Sequence, residues 1–177
     1  MIRVANAQAG ATLRVLRSLV ATLCLFTASC SDNVIDTVFD PCSPQTIIPG
    51  LGTQESELQS IEDALQLWAQ VLPMQLVVGE PSDTAPGLSI QFDSGDTFYR
   101  AIYFDNTGEI LIGRDKLDPD DLALALAHEL GHAFGLFHVP GSERLSVMNV
   151  GNLTIDPTPE DGLRVSDLWE SCSATPD

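Results

Sequence analysis

His128-Glu129-Leu130-Gly131-His132-Ala133-Phe134-Gly135-Leu136-Phe137-His138 is the most informative stretch of this 177-residue chain. On a helix, residues four apart differ by about 40° in azimuth and about 6 Å along the axis. The imidazoles of His128 and His132 therefore leave one face and can bind a single ion. Gly135, without a Cβ, suits the left-handed conformation that ends a helix, and the reversal lets His138 swing back as a third ligand. A catalytic zinc takes three protein ligands and leaves its fourth position to water. Glu129 sits one residue along, where its carboxylate reaches that water rather than the metal. The chain contains three histidines, and all of them lie here. Three imidazoles gathered on an apolar helix would be costly without a shared partner. A closed structural site is disfavoured, because such sites use four protein ligands and often cysteine.

Working outward, the motif helix has a clear start. Asp118 stands at the cap, Pro119 at the first helical position, and Asp120 and Asp121 complement the dipole. Leu122 to Ala127 is apolar all round, which predicts a central, buried helix. A coil is expected from Val139 to Pro157. A last helix begins with the same grammar at Thr158, Pro159, Glu160 and Asp161 and runs through Leu163, Leu168 and Trp169. Upstream, a helix is expected after Thr53 as cap, with Glu55 and Glu57 near the positive end of its dipole. Leu58, Ile61, Leu65, Trp68 and Leu72 share one face, and Pro73 stops it. Leu76 and Val78 predict one strand, and Leu88, Ile90 and Phe92 another. Ala101 to Phe104 and Ile110 to Ile112 flank Asp105-Asn106-Thr107-Gly108, a tetrad fit to close a hairpin.

The first thirty residues carry the marks of an export signal. A positive segment ending at Arg17 precedes the apolar run Ser18 to Ala28, which is shorter than the about 20 residues that a spanning helix needs. Thr27-Ala28-Ser29-Cys30 resembles the lipobox of bacterial lipoproteins, in which the cysteine is lipidated after cleavage. Thr27 stands where that family usually has Leu, so ordinary signal-peptide cleavage nearby is the alternative. Ser31 is compatible with passage to the outer membrane. The expected organisation is a signal peptide over 1–29, a Pro-containing polar tether over 30–52 and a folded domain over 53–177.

Charge and cysteine content narrow the partners. Arg3, Arg14 and Arg17 lie in a stretch without acids, so the remainder carries five basic against 25 acidic side chains. Such a surface repels nucleic acid and anionic membrane faces. No nucleic acid is expected as partner, the membrane is reached only through a lipid anchor, and a monomer is expected. Cys24 leaves with the leader and lipid consumes Cys30, which leaves Cys42 and Cys172. In an oxidising compartment these most simply form one disulfide; the alternative is a Cys42 thiolate on the metal.

The eleven residues from His128 to His138 match the HExxHxxGxxH signature of the metzincin metalloproteases. Ser146-Val147-Met148-Asn149, ten residues beyond His138, looks like the Met-turn that lies beneath the zinc in those enzymes. The order of elements over roughly 53–172 is similar to the matrixin-like branch. The resemblance implies an α+β catalytic domain: a twisted mixed sheet, two long helices, a Met-turn with Met148, and a C-terminal helix. It implies one catalytic zinc on His128, His132 and His138, Glu129 as general base, and hydrolysis of a peptide or protein substrate. Val139 departs from the Ser of matrixins and the Glu of astacins, and no tyrosine ligand follows Met148. Without a spare histidine, a second zinc is not expected. Asp93, Asp96 and Asp105 could serve calcium, although solvated turn acids are the simpler reading. The other functional class is a surface module that holds zinc without cutting, against which the intact Glu129 argues.

Overall fold

β4, Ala101–Phe104, and β5, Glu109–Gly113, form the expected hairpin, antiparallel from Ala101↔Ile112 to Phe104↔Glu109 around the turn residues 105–108. They are the antiparallel end of a five-stranded mixed sheet in the order β2-β1-β3-β5-β4. The other strands are β1, Thr46–Pro49; β2, Val77–Val78; and β3, Leu88–Asp93, all running parallel to their neighbours. Three helices complete an α+β arrangement: α1, Glu55–Ala69; α2, Pro119–Ala133; and α3, Pro159–Trp169. The computed structural model describes residues 46–73, 76–80 and 87–169, all within one compact unit spanning Asn33–Asp177. Cys30, Cys42 and Cys172, and with them the expected lipid anchor and disulfide, lie outside the described residues.

Register explains which sheet face is buried. Successive strand residues point to opposite faces, so in-register partners share one. Ile47 pairs with Leu88, Ile90 with Ile110, Phe92 with Ile112, and Ile110 and Ile112 with Tyr103 and Ala101. These rows pack against Ile61 and Trp68 of α1, Leu126 and Leu130 of α2, and Phe134 at its C-cap to make one core. α1 and α2 are locked together at Trp68. Its indole Nε1 donates to the Ala127 carbonyl at 2.8 Å, and its ring meets Phe134 edge-on at 5.0 Å.

Strand β1 corrects the expected tether. Residues 46–49 lie between β2 and β3, with Ile47 wholly buried, so the folded part begins before residue 53. A four-residue parallel strand buried on both faces has no alternation to betray it. Pro49 is tolerated as the last strand residue, and Gly50 N resumes the ladder to the Ile90 carbonyl at 2.8 Å.

Helix starts needed smaller corrections. Gln54, not Thr53, is the N-cap of α1, and Glu57 reaches back to the Gln54 N–H at 2.7 Å. Glu57 is also buried, holding Arg114 through Nε at 2.6 Å and Nη2 at 3.1 Å. That fork ties the start of α1 to the end of β5. The buried face of α1 is Glu57, Ser60, Ile61, Ala64 and Trp68, so Leu58 and Leu65 are only half-buried. Leu76 falls just outside β2. Asp118 caps α2 by position, without a side-chain hydrogen bond. On α3 the inward residues are Asp161, Gly162 and Val165, and Leu163 is exposed. Gly162 is required there, because a Cβ would run into the carbonyl of Val71.

Candidate metal centre

The second half of α2 is buried almost completely, and His128 and Glu129 are 8% and 7% exposed. The helix ends as its glycine predicts. Gly135 has φ +94°, its N–H bonds the His132 carbonyl at 2.9 Å, and the Leu136 N–H bonds the Gly131 carbonyl at 2.9 Å. This pair of bonds is a Schellman cap. The reversed chain then delivers His138 to the two helical histidines. Its Nε2 lies 3.1 Å from His128 Nε2 and 3.2 Å from His132 Nε2.

Hydrogen bonding settles which ring nitrogens face inward as lone pairs. His128 Nδ1 lies 2.7 Å from the Val147 carbonyl, and His132 Nδ1 lies 2.8 Å from the Leu136 carbonyl. A carbonyl only accepts, so both Nδ1 atoms carry the proton and both Nε2 atoms are free to donate electron pairs. Lone pairs converging on one point repel unless a cation lies between them. Tetrahedral bonds of about 2.05 Å put ligand atoms about 3.3 Å apart, close to the spacings found. Burial lowers the pKa of His128, against the opposing effect of the Val147 hydrogen bond, and depresses His132 to about 4. Both are therefore neutral at pH 7, the form that binds metal. These residues fit a zinc-like ion. Among the described residues, the three histidines are the one group of three or more potential ligands gathered within 4.8 Å.

The acids considered for calcium are not gathered in this way. Asp93 accepts the Tyr99 hydroxyl and Asp96 pairs with Lys116 at 2.8 Å, which leaves Asp105 alone in the hairpin turn.

Glu129 lines the same cleft, of about 350 Å³, as the histidines. Burial raises its pKa to about 7, against a hydrogen bond from the backbone of Tyr103 on β4. A carboxyl poised near neutrality can exchange protons in both directions. Ala101 and Ile102 of β4 and residues 151–153 also line the cleft.

Over 112 residues the chain is 31% identical to stromelysin-2 of Rattus norvegicus, covering 52% of this chain and 23% of that protein. The chain thus matches less than a quarter of that curated relative's length. No protein-family model matches the chain. What the two proteins share is a partial likeness, and the metal-compatible histidine cluster agrees with it.

Next to the histidines, joined through the Val147 carbonyl, lies a polar scaffold that is not evident from the motif. Met148 is fully buried against α2, and a methyl group on Gly131 would overlap its Sδ. The turn carrying Met148 is held by Asp161 of α3, which has no exposed surface. Its carboxylate accepts from Ser146 Oγ at 2.6 Å, Val147 N at 3.2 Å and Arg144 Nη1 at 2.7 Å. It also accepts from Thr158 N at 2.9 Å, and in return Asp161 N donates to Thr158 Oγ1 at 3.2 Å. Burial would raise its pKa, but the bonds from Ser146, Thr158 and Arg144 outweigh that and hold it below the usual carboxylate range. Asn152 Nδ2 adds a bond to the Val147 carbonyl at 3.3 Å. Asn149 bonds Val139 and Arg144 carbonyls at 2.9 and 3.1 Å, and Val139 N bonds the Met148 carbonyl at 2.9 Å. The segments carrying His138 and Met148 are therefore laced together. The sequence signal for Asp161 was its place three residues after Thr158, which reveals the reciprocal cap but not the contact with Ser146.

Proposed function

We propose that this chain is a zinc-dependent endopeptidase of the metzincin type, with His128, His132 and His138 as ligands and Glu129 as general base. The observation that carries the reading is the convergence of three Nε2 atoms beside a buried carboxyl in an open cleft. Zinc, when bound there, lowers the pKa of a water molecule and polarises the scissile carbonyl. Glu129, whose carboxyl lines the same cleft, would take the proton from the attacking water and later hand it to the leaving amine. β4 is an edge strand, so an extended substrate can add to it by backbone hydrogen bonds. Leu117, Ala125 and Leu153 give the cleft apolar lining, which favours an apolar substrate side chain beside the cut bond. Met148, packed against Gly131, serves as the Met-turn residue. The apolar leader and Cys30 support export with a lipid anchor in the cell envelope, or secretion if cleavage falls nearby.

The test is digestion of a peptide library by wild type and Glu129→Gln, with bound zinc measured by mass spectrometry. Wild type should cut peptides, and the variant should hold zinc but lose at least about a hundredfold in rate. Two zinc-loaded proteins that both leave every peptide intact would refute the endopeptidase reading and favour a non-cutting zinc module.

A further inference from the structure

Cations are scarce in this protein, and all but one of those in the described residues are neutralised. Beyond residue 17 the chain has Arg100, Arg114, Lys116, Arg144 and Arg164. Arg114 is paired with Glu57, Lys116 with Asp96, Arg144 with Asp161 and Glu160, and Arg164 with Glu160. Arg100 forms no ion pair among the described residues. Its backbone is fixed by the bond from Gly113 N to its carbonyl at 2.8 Å, and its exposed side chain lines the cleft of the histidines. The acids that precede it in sequence are engaged elsewhere, Asp93 with Tyr99 and Asp96 with Lys116. Apart from the histidines, Arg100 and Glu129 are the charged residues that line this cleft, and Glu129 is buried.

We infer that Arg100 is a specificity-determining residue, selecting peptides that carry an acidic side chain close to the bond to be cut. The inference rests on the endopeptidase reading and names its substrate class. An unpaired guanidinium at the start of the edge strand sits where a strand-like peptide would pass, and its planar fork matches a carboxylate. The rest of the surface is strongly acidic and repels such a peptide at long range. Discrimination is therefore made locally, at Arg100, the one cation without an ion pair among the described residues.

The test uses one parent peptide with Glu, Gln or Lys placed in turn at each of three positions on either side of the cut bond. Wild type, Arg100→Ala, Arg100→Lys and Arg100→Glu are compared by kcat/KM. At one position, wild type should prefer Glu over Gln by about fivefold, as expected for a partly exposed charge pair. The ratio should fall to near one in Arg100→Ala, persist in part in Arg100→Lys and turn towards Lys in Arg100→Glu. It should also shrink as salt rises. A wild type without a Glu preference at any position, or a preference that survives Arg100→Ala, overturns the inference. The same peptides are also titrated by fluorescence anisotropy into zinc-loaded Glu129→Gln, with and without Arg100→Ala. If wild type cuts no peptide, the endopeptidase reading falls, and this binding comparison still decides Arg100. Loss of the acidic preference on removing Arg100 supports the role, and equal binding of Glu and Gln peptides refutes it.

Discussion

Replacing Asp161 by Asn tests whether α3 sets the metal centre from below. The carboxylate is wholly buried and accepts hydrogen bonds from Ser146, Val147, Thr158 and Arg144. Asn keeps the shape but loses the charge and turns one acceptor end into a donor facing other donors. Removing one partner of a buried pair costs about 3–5 kcal/mol. Arg144 is 12% exposed and keeps Glu160 at 3.3 Å, so the lower end applies, about 3 kcal/mol out of a total near 5–15 kcal/mol. Because Val147 carries the carbonyl that orients His128, zinc affinity should drop about tenfold, as for loss of other groups that orient metal ligands. Urea unfolding in EDTA, followed by circular dichroism, reads stability without metal. Competition with a chromophoric chelator reads zinc affinity. The pH dependence has a definite sign. The folded-state pKa of Asp161 lies below its ordinary value, so the unfolded chain binds the proton more readily. The stabilisation is fully present above about pH 4 and disappears as pH falls through the lower folded value. Wild type should lose stability in that window, and Asp161→Asn should show a flatter profile there. An unchanged urea midpoint would refute the buried-network argument. Lost stability with intact zinc affinity would show that Asp161 only anchors α3 and that the Val147 carbonyl orients His128 without it.

Two further substitutions probe the packing around the site. Gly131→Ala places a methyl group against Met148 Sδ, 3.2 Å from Trp68 Cζ2. Overpacking of about 1–3 kcal/mol should exceed the gain of about 1 kcal/mol in helix propensity; an unchanged melting temperature would show that Met148 can move aside freely. Ile47→Ala empties a fully buried site between the sheet and the helices and should cost about 2–4 kcal/mol in urea unfolding. A cost near zero would return residues 46–49 to the tether.

Much of the fold could be read locally. α2, α3 and the β4–β5 hairpin are announced by caps, helical spacing and turn residues within each segment. The parts that could not be read depend on distant partners. β1 is four residues long, and its meaning comes from Leu88 to Ile90, about forty residues later in the chain. Glu57 looks like a dipole partner in its own helix, and only folding brings Arg114 to it. Leu163 fits an apolar spacing, but the inward positions of α3 are claimed by Asp161, which must reach Ser146, and by Gly162, which must clear Val71. Local pattern therefore names elements well and assigns their polar residues poorly.

The site itself divides along the same line. All three candidate ligands come from one eleven-residue stretch, so the metal chemistry is legible without a structure. The proton positions that make those nitrogens ligands are not carried by the stretch alone. Leu136, from the turn that Gly135 permits, fixes His132, while Val147, held by Asp161 from α3 and by Asn152, fixes His128. A short peptide spanning 128–138 would contain the first carbonyl and lack the second. It should bind zinc far more weakly than the folded chain, with His128 free to present either ring nitrogen. Grafting the motif onto another helix would then transfer the ligands without the scaffold that orients them. Comparable zinc affinity of the peptide and the folded protein would show that the surrounding network has no hold on the centre.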